Sequence, residues 1–413
     1  MTNKNLVTLS LILASMFGIA QTQTPTQTSQ IGSPNAMSFT IKGDIQGLMP
    51  GDILSFERVT IPEYERTPAF DVIIEKPDKF TYSGTHEHVE FYVMSYKPVS
   101  GKAIVADRIG IDVLIKNGTT HLIGTADQIY YLQRTGGLYD NDLLQQALQL
   151  EISLGKERGG LFRMRDEARV AGDTEKAKEY SDKIMSLHSD RQEDYQRLSK
   201  LEADFYEQVP SSEHTVVHVL RSVTYASLET TQARYAKMND EAQNSNWGKI
   251  LKREIDKISV LQPGNDAPHF DLTAMDGRKI SLSDCAGSYV LIYHWGMCPG
   301  SLMIDSEVID LYHKYNDRLK IIGITDKIEY IKIAHDNIQP EDKLMELELK
   351  PILKNMLAHP WFDAEKIGNN EKIETDYAFA GLPYFVFISP DGKIIVRGFH
   401  DAFYTAKSTI ENE

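Results

Sequence analysis

The chain is poor in cysteine and has fewer basic than acidic residues. Two cysteines among 413 residues exclude a small domain held together by disulfides. The 44 basic residues face 59 acidic ones, giving a net charge of −15. This balance argues against nonspecific nucleic-acid binding, which needs a basic face toward the phosphates. The 15 Phe and 20 Tyr exclude a wholly disordered chain, and the length predicts two to three domains.

The N-terminus has the pattern of a cleavable secretory signal over residues 1–20. Lys4 is followed by a mostly apolar stretch at residues 6–19, with small residues at Gly18 and Ala20. This stretch is too short to span a membrane comfortably, and no later segment has 18 uncharged apolar residues. No cysteine for lipid attachment follows it. Residues 21–37 are polar and predict a linker. We therefore expect an exported protein of the periplasm or cell envelope, with no transmembrane segment in the mature chain.

The mature chain changes its pattern twice, which predicts an α+β multidomain protein. Residues 38–131 contain short alternating strands and indicate a β-sandwich-like N-terminal domain, with a hairpin predicted at residues 117–118 (Asn-Gly). Residues 132–261 have helical spacing, interrupted at residues 171–173. Residues 262–413 alternate strands and helices, which is typical of an α/β layer, and Asp-Gly at residues 391–392 predicts a hairpin.

The C-terminal third contains motifs in a familiar order. Residues 263–301 read PGNDAPHFDL, then DG, LSD, an apolar strand and the turn WGMCPGS, and residues 381–393 contain GLP and SPDGK. This region resembles the thioredoxin-like domain of the secreted thiol–disulfide oxidoreductases (the TlpA/AhpC-TSA-like superfamily). The resemblance implies a thioredoxin-like α/β fold and a cis-proline at Pro383 that faces the redox site. The preceding regions resemble members with an N-terminal domain of unknown function (DUF4369-like).

The turn after the strand carries one cysteine where the superfamily has two. Thiol–disulfide exchange in this fold uses Cys-x-x-Cys at a helix N-terminus, where the helix dipole stabilises the first thiolate and the second thiol resolves the mixed disulfide. Here Cys298 takes the nucleophile position and Ser301 replaces the resolving cysteine. A hydroxyl cannot displace a disulfide, although it can donate a hydrogen bond to a thiolate. Pro299 suits the first helical turn because it needs no hydrogen-bond partner there.

Two further residues are candidates for influencing Cys298. Cys285 precedes the strand and Cys298 follows it, and a strand of about seven residues spans roughly 23 Å. Because a disulfide needs Cα atoms within about 7 Å, we do not expect these cysteines to pair. His294, four residues before Cys298, is either a cation that tunes the thiol or a strand-end histidine with no role.

These residues leave two functional hypotheses. In the first, an exported monothiol protein acts through mixed disulfides between Cys298 and exported proteins or small thiols. The resemblance implies that Ser301 and Pro383 complete the reactive site, and that Trp295, Pro299 and the backbone of Leu382 border the substrate. A peroxidase is disfavoured because Trp295 stands where peroxiredoxin-like sites have Thr. In the second hypothesis, the domain is a redox-inert platform that binds exported proteins or peptides.

The sequence gives no indication of a cofactor. Its histidines and cysteines lack the spacing of metal ligands, and no glycine-rich phosphate loop occurs. We therefore predict neither a metal site nor a cofactor. Nucleic acid is not an expected partner, and the composition leaves the oligomeric state open.

Overall fold

The computed structural model describes residues 36–62, 64–326, 328–339 and 345–412. The predicted secretory signal, and the predicted linker up to residue 35, lie outside the described residues. The chain divides into two compact units. The N-terminal unit contains the described residues up to residue 252 except Thr224–Leu228, and the C-terminal unit contains Thr224–Leu228 and the described residues from Arg253 onward. The three-domain boundaries expected from the sequence stay a prediction.

The described part of the N-terminal unit contains eight strands in two sheets. The strands are β1 Met37–Gln46, β2 Ile53–Val59, β3 Arg66–Ile73, β4 Lys79–His86, β5 Glu90–Lys97, β6 Ile111–Ile115, β7 Gly118–Thr125 and β8 Gln133–Thr135. One sheet has the order β4-β1-β7-β8 and the other the order β3-β2-β5-β6. Pairing is antiparallel throughout, except that β1 and β7 run parallel.

The two sheets share one apolar core. Strand β1 alternates, so that Phe39 and Ile41 are buried while Lys42 is exposed. These buried side chains belong to the same cluster as Phe56 and Met94 of the other sheet. Alternation with a period of two places every second side chain on the inner face, and the shared cluster confirms the predicted β-sandwich-like arrangement.

The hairpin predicted at residues 117–118 is wrong. Gly118 has the positive φ of +99° expected at the second position of an Asn-Gly turn, although Asn117 is not among the residues with positive φ. The flanking strands nevertheless lie in different sheets, because β6 pairs with β5 while β7 pairs with β1 and β8. Turn residues report only the local backbone. Partner choice follows the apolar faces, and β7 contributes Leu122 to the core through its own sheet.

Helices follow the strands along the chain. They are α1 Asp142–Val170, α2 Thr174–Asp190, α3 Gln192–Gln208, α4 Glu213–Ser222, α5 Leu228–Ala236, α6 Asp240–Asn244 and α7 Asn246–Val260. The predicted break at residues 171–173 is confirmed. Gly172 has φ +76°, and the Asp173 carboxylate accepts the Lys176 N–H to cap α2.

The C-terminal unit is built on a mixed sheet. Its described strands are β9 Asp271–Thr273, β10 Lys279–Ser281, β11 Tyr289–His294, β12 Leu319–Thr325, β13 Phe362–Glu365, β14 Tyr384–Ile388 and β15 Ile394–Gly398, and its further described helices are α8 Pro299–Tyr315, α9 Ile328–Asp336, α10 Lys350–Met356, α11 Lys372–Tyr377 and α12 His400–Asn412. The five-stranded sheet has the order β13-β12-β11-β14-β15, with β11, β12 and β13 parallel.

This arrangement is the predicted thioredoxin-like α/β fold. Strand β11 is buried at every residue, as expected of a central strand covered on both faces. Its antiparallel neighbour β14 continues into β15 through the predicted turn at residues 391–392, where Gly392 has φ +85°. The carboxyl end of β11 leads directly to the turn that contains Cys298. Among the helices in the described ranges, none is sufficiently long and apolar to span a bilayer.

Candidate functional site

Cys298 is the N-cap residue of α8. It has an extended backbone (φ −81°, ψ 156°), and Pro299 begins the helix. Proline fits this position because its missing N–H would have no helical partner. The Cys298 Sγ accepts a hydrogen bond from the Ser301 N–H at 3.3 Å, and the residue is half-buried. The helix N-terminus therefore directs a backbone donor at the sulfur, which favours negative charge there.

Ser301 lies directly beneath the thiol and has no exposed surface. Its Oγ is 3.2 Å from the Cys298 Sγ, whose S–H donates to it. The same Oγ accepts the Gly296 N–H at 3.3 Å. The Ser301 hydroxyl therefore contacts the turn at two points, Gly296 and Cys298. The structure brings the two predicted residues together in the geometry of a thiol with a hydroxyl neighbour.

The loop containing Pro383 lies against the Cys298 turn. The Leu382–Pro383 peptide bond is cis, as the resemblance implied. A Cβ added to Gly300 would lie 2.6 Å from the Pro383 Cδ, and one added to Gly296 would lie 2.9 Å from the Leu382 Cδ1. Two glycines flanking Cys298 thus allow the loop to approach closely. Pro383 is buried and Leu382 half-buried, whereas Pro299 is exposed beside the thiol.

His294 faces this loop rather than the thiol. Its Nδ1–H donates to the Gly381 carbonyl at 3.0 Å, and its ring stacks on Phe379 with centroids 4.7 Å apart. Burial lowers the pKa of His294 to about 3, so the ring is neutral near pH 7. A neutral imidazole cannot act as a cation that stabilises a thiolate. Tuning of Cys298 by His294 therefore stays a prediction, with no support from this geometry.

Trp295 is turned into the core. Its side chain is fully buried, and its Nε1–H donates to the Asp363 Oδ1 at 3.1 Å. The ring therefore supports the turn from below and has no exposed face for a substrate. The predicted contact between Trp295 and substrate stays a prediction that the observed burial does not favour.

Sequence reasoning missed a buried polar cluster beneath Ser301. The His359 side chain has no exposed surface and lies between two carboxylates, with Nε2 2.9 Å from Asp305 Oδ1 and Nδ1 2.8 Å from Asp363 Oδ2. Burial by itself lowers the pKa of His359, but the hydrogen bonds to both carboxylates outweigh it and raise the pKa to about 9. His359 is therefore an imidazolium near pH 7.

The cluster left only a weak signal in the sequence. Asp305 interrupts the apolar face of α8 one turn after Ser301, and a lone carboxylate on such a face is unusual unless it is paired. Its partner, however, is 54 positions away along the chain. Only the packing of α8 beside the segment 359–363 identifies the pair. In the described ranges, no cluster of three or more His, Cys, Asp or Glu side chains is arranged to hold a metal ion.

Comparisons with known proteins match the C-terminal region. Residues 263–397 match the AhpC/TSA family. A relative is the thiol-disulfide oxidoreductase ResA of Bacillus cereus, which is 27% identical over 139 residues covering 33% of this chain and 69% of the relative.

Two solved structures are also similar. One is the thioredoxin domain of a thiol-disulfide oxidoreductase from Bacteroides vulgatus, with 21% identity over 37% of this chain and 97% of that chain and a TM-score of 0.26. The other is a thiol:disulfide interchange protein from Bacteroides sp., with 20% identity over 37% of this chain and 92% of that chain and a TM-score of 0.27.

The family match and the relative confirm the recognition of a thioredoxin-like domain of this superfamily in the C-terminal region. They support a fold of thiol–disulfide oxidoreductase type for that region. The likeness of the preceding regions to a domain of unknown function is not addressed by these matches and stays a prediction.

Proposed function

We propose that the protein is an exported thioredoxin-like protein that uses Cys298 as a single reactive thiol in cell-envelope thiol–disulfide exchange. The observation that carries this proposal is the position of the thiol. Its sulfur caps α8, accepts the Ser301 N–H, and lies beside the cis-proline loop. Export rests on the pattern of residues 1–20, which is that of a cleavable secretory signal.

The chemistry is a monothiol exchange. The Cys298 thiolate attacks one sulfur of a substrate disulfide, forms the mixed disulfide, and releases the other sulfur as a thiolate. Ser301 cannot resolve this intermediate because its oxygen does not displace a sulfur. An external thiol therefore attacks the substrate sulfur bound to Cys298 and regenerates the protein. Exported proteins and small thiols are the substrates that this cycle fits.

The cis-proline loop provides the place for a peptide substrate. Leu382 is half-buried in the loop that lies against the Cys298 turn, and we expect its backbone to pair with an extended chain. Pairing of this kind holds the substrate through main-chain hydrogen bonds and leaves its side chains free. It therefore suits varied exported proteins better than one fixed ligand.

The direct test is the reaction of the folded protein with oxidised glutathione, followed by mass spectrometry of peptides. We expect one glutathionyl group on Cys298, its loss in Cys298→Ser, and its retention in the matched control Cys285→Ser. We also expect Ser301→Cys to gain insulin-reducing activity, because it supplies a resolving thiol at the observed contact distance. Absence of any adduct at Cys298 up to alkaline pH would contradict the proposal and favour a redox-inert binding platform.

A further inference from the structure

A short segment between two helices forms part of the C-terminal unit. Thr224–Leu228 runs from the end of α4 to the first residue of α5, and it belongs to the C-terminal unit although the residues on both sides of it, up to Val223 and from Glu229, do not. Within this segment the Tyr225 ring stacks on Phe399, with parallel planes and centroids 5.9 Å apart. Tyr225 is nevertheless 62% exposed. The stack therefore leaves much of the tyrosine in contact with solvent.

Phe399 contacts the residues on both sides of the cis Leu382–Pro383 peptide. A Cβ added to Gly381 would lie 3.5 Å from the Phe399 Cε1. The Tyr384 ring meets Phe399 edge-on, with centroids 5.3 Å apart and an angle of 85° between the planes. Phe399 is half-buried by these contacts. Because Gly381 and Tyr384 flank the cis dipeptide, the Phe399 ring is fixed at the border of the cis-proline loop.

The residue after Phe399 contacts the turn that contains Cys298. The His400 Nε2–H donates to the Gly300 carbonyl at 3.3 Å, and a Cβ added to Gly300 would lie 3.1 Å from the His400 Cε1. Residues 399 and 400 therefore touch both parts of the site, the cis-proline loop and the Cys298 turn. The stack on Phe399 extends this border outward to Tyr225.

A pair of rings that is partly open to solvent can bind a further apolar side chain. Aromatic rings attract one another edge-on or offset, and an apolar side chain that leaves water gains free energy of transfer. Here the cis-proline loop holds Phe399 on one side, while Tyr225 is largely exposed. A single exposed tyrosine elsewhere on the surface would carry no such meaning. Its position beside the loop that we expect to pair with substrate is therefore the deciding observation.

We propose that Tyr225 and Phe399 form an aromatic wall beside the cis-proline loop, and that this wall binds an aromatic or large apolar side chain close to the disulfide cysteine of an extended substrate polypeptide. This inference rests on the proposed exchange function and names its substrate class. It also gives the segment between α4 and α5 a part in substrate selection. Tyr225 determines specificity and takes no part in the reaction at sulfur.

The wall acts on binding and leaves the chemistry at sulfur unchanged. The Cys298 thiolate attacks one sulfur of the substrate disulfide, the S–S bond breaks, and the other sulfur leaves as a thiolate. A polypeptide that pairs with the Leu382 backbone brings the side chains next to its cysteine toward the wall. Oxidised glutathione has no large apolar side chain and gains nothing from it. The wall therefore favours polypeptides over small thiols.

The test compares disulfide-linked dimers of short peptides that each contain one cysteine. One peptide has alanine at the two positions on each side of the cysteine, and in the others a phenylalanine replaces one alanine. A symmetrical dimer gives the same adduct whichever sulfur is attacked. Mass spectrometry of the full mature chain measures the rate of adduct formation at Cys298. We expect the best phenylalanine peptide to react about tenfold faster than the alanine peptide.

Tyr225→Ala removes one half of the wall. We expect the preference for phenylalanine, which is the ratio of the two rate constants, to fall about two- to tenfold. Tyr225→Phe keeps the ring and should retain the preference. Tyr404→Ala should retain it too and is the matched control, because Tyr404 is also an exposed tyrosine beside a phenylalanine, with the Phe403 centroid at 5.4 Å. A change in the reactivity of the thiol alters both rate constants alike and leaves the ratio unchanged.

The outcomes separate the wall from a stack that only holds the segment Thr224–Leu228. A purely structural stack would lower the free energy of unfolding in Tyr225→Ala without changing the ratio, and that result overturns the inference. Equal rates for the two kinds of peptide in the wild type, or no peptide adduct, overturn it as well. In each case the exchange function stands if oxidised glutathione still modifies Cys298. No adduct at Cys298 with either peptides or glutathione overturns both.

Discussion

The two cysteines lie at opposite ends of the strand β11, and their surroundings differ in burial, in the backbone group nearest the sulfur and in the neighbouring charged side chains. Cys285 is 2% exposed, and its S–H points to the Ser281 carbonyl at 3.6 Å. Burial, followed by the charge of Asp284, raises the pKa of Cys285. Cys298 is half-buried, accepts a hydrogen bond from the Ser301 N–H, and begins the helix that carries Asp305, which pairs with His359.

The two sulfurs differ in the backbone group that each one contacts, and we expect this difference to govern their reactivity. At Cys285 the nearest backbone group is an acceptor, which favours the protonated sulfur. At Cys298 it is a donor at a helix N-terminus, which favours the thiolate. The same strand thus separates a buried thiol with a raised pKa from the half-buried thiol that we propose as the nucleophile, and the His359 cluster lies at the Cys298 end.

The largest expected effect is a loss of unfolding free energy when a substitution fills the space that Asp363 occupies in its cluster with His359 and Asp305. In Gly323→Ala, the new Cβ would overlap Asp363 Oδ1, so the carboxylate must leave His359 and both indoles. Breaking a buried charge pair predicts a loss of about 3–5 kcal/mol of unfolding free energy. Urea unfolding followed by tryptophan fluorescence measures it, since Trp295 and Trp361 both contact this cluster.

Gly160→Ala is the control for that substitution. Gly160 lies in α1 of the N-terminal unit, and an added Cβ there meets no atom within 4 Å. Alanine at this helical position should raise the unfolding free energy of its unit by up to about 1 kcal/mol. If Gly323→Ala and Gly160→Ala changed the unfolding free energy equally, the contact of Asp363 over Gly323 would not be a source of stability.

The next change contrasts the two thiols directly. We expect iodoacetamide to modify Cys298 in the folded protein on the order of a hundredfold faster than Cys285, which reacts only after local opening that costs several kcal/mol. In concentrated urea the two rates should converge, because the unfolded chain exposes both sulfurs equally. Peptide mapping after timed quenching gives both rates, and a fast Cys285 in the folded state would remove the contrast.

A smaller effect is expected on how the unfolding free energy depends on pH, and it comes from His359. The folded-state pKa of His359 is raised to about 9 from an ordinary value of 6.5, so its stabilising contribution is complete below pH 6.5 and is lost as pH rises toward 9. The wild type should lose on the order of 2–3 kcal/mol more than His359→Gln across that interval.

His294 should change the unfolding free energy with pH in the opposite direction to His359, and it therefore serves as a comparison within the same chain. Burial lowers its pKa to about 3, so its neutral ring contributes fully above pH 6.5 and that contribution falls only as pH drops toward 3. It therefore adds nothing to the change between pH 6.5 and 9. Fluorescence-detected urea titrations at a series of pH values give the difference, and parallel curves for the wild type and His359→Gln would show that His359 is not charged.

Local sequence patterns are reliable where a neighbour in the chain decides the outcome. Pro299 after Cys298 predicts the helix start, Gly172 the helix break, and Gly392 the hairpin turn, because each acts on its own backbone dihedrals. Asn-Gly at residues 117–118 coincides with a bend at Asn117, but the strand pairing predicted from it is wrong. The pairing of β7 is decided by the core that both sheets share.

The same distinction applies to the candidate site. Cys298, Ser301 and Pro383 can be found from the sequence because they belong to motifs of a few adjacent residues. The roles considered for His294 and Trp295 depend on where their rings point. The structure directs His294 to the Gly381 carbonyl and Trp295 to Asp363. No spacing rule gives these directions, since they follow from what packs against each face of the strand.

Contiguous residues are sufficient to identify the thioredoxin-like domain, the cysteine that we propose as the nucleophile and the serine in the position of the resolving thiol, because each motif fixes its own local backbone. What lies under Cys298 depends instead on folding. Asp305, His359 and Asp363 come from a helix, a loop and a strand. Their charges are tolerated only because folding buries them together at hydrogen-bond distance, and no single segment of the chain contains that arrangement.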